Sequence, residues 1–585
     1  MSKEPPTAEN ERIFSALTIR DALWEWRSVL PPQRQQALND IVSELGDPDA
    51  WRQQLFPAEE SPRSGAEFST RPIPESVAFL RSWRPQGDKQ LQTVTALAQE
   101  LRTAVANDPK TFAASADQFV GLRPIYVRRV LEGLQSVTNN ERDFDWSMVL
   151  KLIEFTYSQL GTTIDAATLA EGDDKDWIWA CHTAGETLAA GLRRGASGIG
   201  FQHAAHVTAL VKMALAKAPN HPEIEDFEDR FRRESFFGAQ ATLRGTAVEL
   251  SILLIFWLSK DATNAIGAAP RDALKNLPEI RQALEAQLAD RSADGRVPRA
   301  IIGRFLGWLF HFGESWLKAQ TRALFPNDND NLRRAAWRAH LGHDAGPLRD
   351  FVAELHDCYG ADIALLGSDQ ADKDFREFYQ DRLADYIMVL NLWGGLPDDL
   401  LEQFWRDAPE GVRQHAMWFV GIQVSKPSSE VPDEIKARGR AYFERRLAAA
   451  VASTEPDKYR KELGVIGQWC FHDLLVDEAW LGAQLLTMLR NGFAPTDAFS
   501  VVEWLRKLSP SQVDRAVEVM EALLRHPRVD QWAYMTQREP IRAVLGDGLA
   551  RGTPETIQRV HDIVSFLSTL GETSYLDLIR STAAE

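Results

Sequence analysis

The feature that most constrains this chain is a helical periodicity that scarcely breaks from about Ala16 to Ile579. Apolar residues recur at three- and four-residue spacing, divided by short turns of proline, glycine and asparagine. No run of alternating polar and apolar residues is long enough for a strand. The stretch from Gln240 to Leu317 shows the pattern most plainly, and within it Thr242 to Leu258 is apolar nearly all round. A helix of that kind is expected at the centre of a core.

At 585 residues the chain exceeds the roughly 250–300 residues at which one hydrophobic core stops growing. The pattern therefore predicts an all-α fold, an irregular α-solenoid of antiparallel helix pairs in two or three subarrays. The tetratricopeptide and ankyrin signatures are missing, so the pairing is HEAT-like and degenerate, most regular over 457–580. Residues 1–13 are polar and expected to be a disordered tail. A helical pair is expected over 14–56, with Leu23, Trp26, Val29 and Leu30 on one face and Leu38, Ile41, Val42 and Leu45 on another. Pro57 to Pro74 reads as a linker, 75–424 as the main array, 425–432 as a second linker and hinge, and 433–585 as a C-terminal array.

Local signals mark several helix ends. Ser509-Pro510-Ser511-Gln512 reads as a capping box with proline at the first helical position, and Thr553-Pro554-Glu555 as a second start. Gly46-Asp47-Pro48 and Gly492 read as stops. The polar run Asn327 to Asn331 lacks the glycine and glutamate of a calcium loop, with Arg333 and Ala339 at those places, and reads as a turn capping the next helix.

The 18 tryptophans and 28 phenylalanines against 9 tyrosines are expected mostly to fill gaps between helices, with some left for a recognition surface. The formal charge of −17 argues against nucleic acid as the main partner unless basic residues are segregated. The densest basic run, Lys436, Arg438, Arg440, Arg445 and Arg446, is accompanied by Glu430, Asp433, Glu434 and Glu444 and reads as a solvated helix face. Cys181, Cys358 and Cys470 are far apart and read as buried free thiols of a reducing compartment. The N-terminus has no apolar core for a signal peptide. The longest apolar run, Ala247 to Leu258, falls short of the ~20 residues that span a bilayer, so a cytoplasmic location is expected.

A set of phrases, SP (61–62), VAFLRSWRP (77–85), LRPIYVRRVLEGL (122–134), FDWSMVLKLIEF (144–155), ATLRGTAVE (241–249), VPRAIIGRFLGWLF (297–310), AAWRAHL (335–341) and YLDLIR (575–580), resembles the helical-repeat C-terminal region of large bacterial proteins associated with anti-phage defence. The resemblance covers most of the chain from about Ser61 and implies a scaffold without specifying a chemistry. The effector or nucleotide-binding module that precedes the array in those proteins has no counterpart here. The resemblance therefore implies a stand-alone sensor or adaptor whose effector is encoded separately.

Chemical constellations are sparse. Gly191, Gly195, Gly198 and Gly200 with Arg193 and Arg194 superficially suggest a phosphate loop, but neither a preceding strand nor a Gly-Lys-Ser/Thr ending is present. A helix–helix turn is the simpler reading. Arg193, Arg194, Gly195 and Gly198 are kept as a weak anion-site candidate. The pairs His203/His206 and His340/His343 have helical spacing but no completing ligands, so no metal is assigned. Cys470 and His472 lie two apart and point away from one another on a helix. Arg244 and Gly245 interrupt the buried helix, where the glycine would allow close helix approach and Arg244 would reach a carboxylate such as Glu249.

The expected function is a non-enzymatic protein-binding scaffold or sensor subunit of a bacterial defence system, without cofactor or catalytic residue. Its partner would be a protein, an effector subunit or a phage protein with a basic surface. Nucleic acid and membrane are not expected as partners. The rivals are an accessory subunit or cryptic hydrolase with a site near Trp177 to His206, and a nucleic-acid-binding array with a segregated basic groove.

Overall fold

A computed structural model describes residues 18–581 apart from 21, 25, 28, 47–58, 86–91, 167–168, 225, 267–271, 343–345, 471–476 and 530–535. The expected tail at 1–13, the turn at Asp47-Pro48, His343 and His472 lie outside the described residues. Among the described residues every regular element is helical, apart from an isolated bridge between Glu60 and Gln92. No described helix is long and apolar enough to cross a membrane. The chain divides into two compact units, 1–220 with 242–270, and 221–241 with 271–585. The division falls within neither expected linker, and it splits the 240–317 stretch.

The first unit is centred on the helix Leu243–Ile266, which packs against Ile178–Arg193 and Ala204–Lys217. Val248, Leu250, Leu253, Leu254 and Trp257 are all buried, as the sequence predicts for a helix apolar on every side. The Trp257 indole N–H donates to the Ile199 carbonyl at 3.2 Å, satisfying its polar edge inside the core. The close helix approach expected of Gly245 is made from the facing helix. A Cβ at Gly185 would lie 2.4 Å from the Thr246 methyl. Arg244 donates to the Asn220 carbonyl, and Glu249 accepts from Arg193. Outward from this centre, Ile178–Arg193 packs on Pro124–Asn139, which packs on Val94–Asn107, which packs on Gly65–Thr70.

Of the segment expected as a linker over 57–74, residues 65–70 form that last helix, and Phe68 is buried. Ser64 and Glu67 make a reciprocal capping box, which fixes the helix although proline, serine and glycine surround it. In the N-terminal pair, Trp24 turns inward while Trp26 (63% exposed) and Val29 (71%) face out. Arg27 lies over the Trp24 ring, 4.3 Å from its centre, and its guanidinium donates to the Trp24 carbonyl.

In the second unit the tightest helix pair is Arg296–Arg304 with Asp330–Leu341. The Asn329 side chain accepts from the Leu332 amide and caps the second of these, as the 327–331 run predicts. Ser235–Gln240 lies against both. Further along, Glu410–Val424 packs on Gln380–Trp393 and on Asp433–Ala452, and Val513–Leu524 packs on Glu478–Arg490, Arg538–Arg551 and Pro554–Thr569. No helix spans 425–432, but Val431 there is buried.

Two expectations from sequence are corrected here. Ser509 is not a helix start. Its hydroxyl donates to Asp547 and to the Arg506 carbonyl, so it ends Ala498–Leu508, and the next helix begins at Val513. The basic run is not wholly solvated, because Lys436 and Arg446 are buried and Arg446 donates to the buried Glu462. Thr553 does cap Pro554–Thr569, and the three cysteines are buried. Of the described indoles seven are buried, Trp257 and Trp337 completely, five are half-buried, and Trp26, Trp179, Trp308 and Trp418 are exposed, so gap-filling accounts for fewer of them than expected.

Candidate functional site

The residues singled out at 193–198 form a turn in the first unit, and the structure commits both guanidiniums internally. Arg193 pairs with Glu249 on the central helix. Arg194 pairs with Asp143 at 2.8 Å and donates to the Glu141 and Arg142 carbonyls. Gly195 has φ of +66°, and a Cβ at Gly198 would lie 2.2 Å from the Gly191 carbonyl oxygen. These glycines therefore serve the turn and its packing. Nearby, His206 meets Glu154 at 3.1 Å. Cys181 is buried with its thiol pushed up to about 12 by desolvation, which leaves no thiolate for nucleophilic attack at neutral pH. Among the described residues no cluster of three or more His, Cys, Asp or Glu side chains could hold a metal ion.

A different constellation stands out in the second unit. A cavity of about 360 Å³ is lined by Arg233, Arg304, Arg338 and Arg382, with Glu234 as the carboxylate on its wall. Phe236, Phe237, Phe378 and Tyr379 complete much of the lining. Two further hollows adjoin it. One, of about 370 Å³, shares Ser235 and Arg338 and adds Arg232, Arg296 and Arg334, with Glu228, Asp229 and Asp372. The other, of about 410 Å³, shares Arg233, Glu234, Phe237 and Phe378 and adds Arg230. Together eight arginines and four carboxylates line this groove, in a chain whose formal charge is −17.

Local sequence explains why these cations gather. In FEDRFRR (227–233), Phe227 and Phe231 turn inward and leave Arg230, Arg232 and Arg233 outward. Arg296 lies over both rings, 5.7 and 5.2 Å from their centres, and pairs with Glu228 at 2.6 Å. Gly303, near the end of its helix, meets the middle of the other at Ala336 backbone to backbone, which sets Arg304 and Arg338 on one wall. A five-residue π-helical turn, Phe375–Tyr379, opens the helix Gln380–Trp393. Within it Phe378 is exposed and Tyr379 buried, and π-helical turns of this kind are frequent at functional sites.

Electrostatics at the cavity favour an anion. Arg304 stacks over Phe236 and Phe305, and Arg338 over Tyr379, at 5.3–5.6 Å from the ring centres. Aromatic stacking orients a guanidinium without cancelling its charge. Arg338 also pairs with Asp372. Burial would raise that carboxyl, but the hydrogen bonds from Arg338 and the Phe375 amide hold it below its ordinary value. Arg233 donates to the Asp229 carbonyl and forms no ion pair among the described residues. The Tyr379 hydroxyl is raised by burial, partly countered by Arg338, and it donates to the Arg233 carbonyl. Behind the wall, Trp337 donates to the buried Asp362 at 2.8 Å and the Tyr386 hydroxyl to the His340 carbonyl. Planar guanidinium forks bind phosphate or carboxylate oxygens in pairs.

Sequence reading missed this site because its arginines are spread from 230 to 382. The available signal was a cation inside an otherwise apolar helix phrase. Arg304 in VPRAIIGRFLGWLF and Arg338 in AAWRAHL are cases of it, and Arg232-Arg233 stands just ahead of Phe236-Phe237.

No protein-family model matches the chain. No curated protein matches it either. A solved structure described as an engineered protein aligns over 84% of this chain and 98% of its own, at 13% identity with a TM-score of 0.28, and this likeness carries no argument about fold or function.

Proposed function

We propose that this chain is a non-enzymatic recognition protein, an irregular α-solenoid whose binding centre is the arginine-lined groove of the second unit, and that its ligand is anionic. The carrying observation is the local reversal of charge, four guanidiniums against one carboxylate around the central cavity of an acidic chain. The solenoid reading is supported by helices that each pack on near neighbours in sequence, as Val513–Leu524 does on the helices before and after it. The resemblance to defence-associated helical regions supports a sensing role in a bacterium. The net charge alone points to a basic-surfaced protein partner, but segregated arginines favour an anion at this site.

Thermal unfolding with inorganic pyrophosphate tests the reading. A ligand present at a hundred times its Kd adds about 2.7 kcal/mol of stability. The melting temperature of the wild type should rise by the amount that this stabilisation implies, and Arg233→Ala/Arg382→Ala should lose the rise. An unfolding curve indifferent to pyrophosphate at low salt contradicts the proposal.

A further inference from the structure

Resting on the anion reading of this groove, we infer that its ligand is a nucleotide, with phosphate held by the arginines and the base stacked on Phe237 and Phe378. Both phenylalanines line the central cavity and the hollow beside it, together with Arg233. They are 61% and 51% exposed, whereas most large apolar side chains of the chain are buried. Phe237 meets Phe236 edge-on, 5.2 Å between ring centres, and both Phe237 and Phe378 keep about half or more of their surface in solvent, where a base can stack.

That pairing of groups discriminates among anions. A bare phosphate or an acidic side chain would use the guanidiniums and leave both rings in water. A nucleotide satisfies both, because each base has a π-face and stacks with little regard to sequence. The central cavity, at about 360 Å³, lies within the usual range of small-ligand sites. The adjoining hollows hold guanidiniums that are already ion-paired, Arg296 with Glu228, Arg334 with Asp330 and Arg230 with Asp226, so the phosphate falls to the central cavity. The same chemistry is presented by a free nucleotide and by the single-stranded end of a nucleic acid.

Calorimetric titration of the full chain with pyrophosphate, adenosine diphosphate, a short 5′-phosphorylated oligoadenylate and polyglutamate separates the cases. Phe237→Ala/Phe378→Ala is the variant of choice, since both rings are exposed and their loss leaves the core intact. Adenosine diphosphate or the oligoadenylate should bind more tightly than pyrophosphate. The variant should lose about tenfold or more of that affinity, the scale of one stacked base, with pyrophosphate binding unchanged. Tighter binding of the oligoadenylate identifies a nucleic-acid end as the source, and equal or tighter binding of the diphosphate identifies a free nucleotide. Equal affinity for pyrophosphate and nucleotides with no effect of the variant, or a preference for polyglutamate, overturns the inference and leaves the anion site standing. Failure of every anion to bind overturns both.

Discussion

Gly303 lies against the backbone of Ala336 so closely that a Cβ at 303 would sit 2.1 Å from the Ala336 carbonyl oxygen. Arg304 follows the first of these residues and Arg338 lies just beyond the second, so one helix contact sets the spacing of two guanidiniums in the pocket.

Gly303→Ala is therefore expected to damage stability and binding together. Alanine gains roughly 1 kcal/mol of helix propensity over glycine. Overpacking costs about 1–3 kcal/mol, and here strain prevails because the obstacle is backbone that cannot rotate away. Denaturant unfolding should show a net loss, and pyrophosphate affinity should fall although no arginine has been changed. Unaltered stability would show that the two helices can separate freely.

Arg299, four residues before Gly303, is fully buried and donates to the carbonyls of Ala323, Asp290, Gly295 and Leu288. A lysine keeps the charge but has no planar fork and only three donors. Each lost bond to a charged group costs about 1.5–3 kcal/mol. Arg299→Lys should lower the urea midpoint by at least one such step, and an unchanged midpoint would mean that the fork geometry is immaterial.

Glu462 is fully buried between Arg413, at 3.1 Å, and Arg446. Glu462→Ala leaves two guanidiniums facing a void, for which removal of a buried partner predicts a loss of about 3–5 kcal/mol. Glu462→Gln retains the shape and one acceptor oxygen. Chemical unfolding should rank the alanine variant well below the glutamine variant, and equal losses would assign the effect to volume and not to charge.

The layer behind the pocket predicts a pH dependence. Burial pushes the Asp362 carboxyl up to about 6, against the hydrogen bond from Trp337 that lowers it. The folded state thus holds this proton more tightly than the unfolded chain does. Its contribution is fully present below the ordinary value of 3.8 and is lost as pH rises through 6. His340 acts oppositely. Burial drops it to about 4, so its contribution is present above 6.5 and lost as pH falls through 4. Asp362→Asn keeps an acceptor for Trp337 and cannot ionise. Its urea midpoint relative to wild type should climb between about pH 4 and 7, and a pH-independent difference would contradict this assignment.

The sequence displayed what short-range chemistry decides. The all-round apolarity of 243–258, the Asn329 cap and the Thr553 cap were legible because each depends on residues within a few positions. Ser509 carried the same local pattern as Thr553, yet Asp547, thirty-eight residues away, draws its hydroxyl elsewhere. The pocket was hidden for the same reason. Arg233, Arg304, Arg338 and Arg382 each look like an ordinary helix cation, and only the Gly303–Ala336 contact and the π-helical turn bring them to one cavity. The division of the chain was equally hidden, since residues 221–241 join the second unit before the central helix of the first unit has begun.

The most direct test of the anion-binding centre is calorimetric titration of the full chain with pyrophosphate at low and at physiological salt, beside Arg233→Ala/Arg382→Ala. The account predicts saturable binding to the wild type, weakened by salt and lost in the variant. Binding that is absent, or that persists undiminished in the variant, would contradict it.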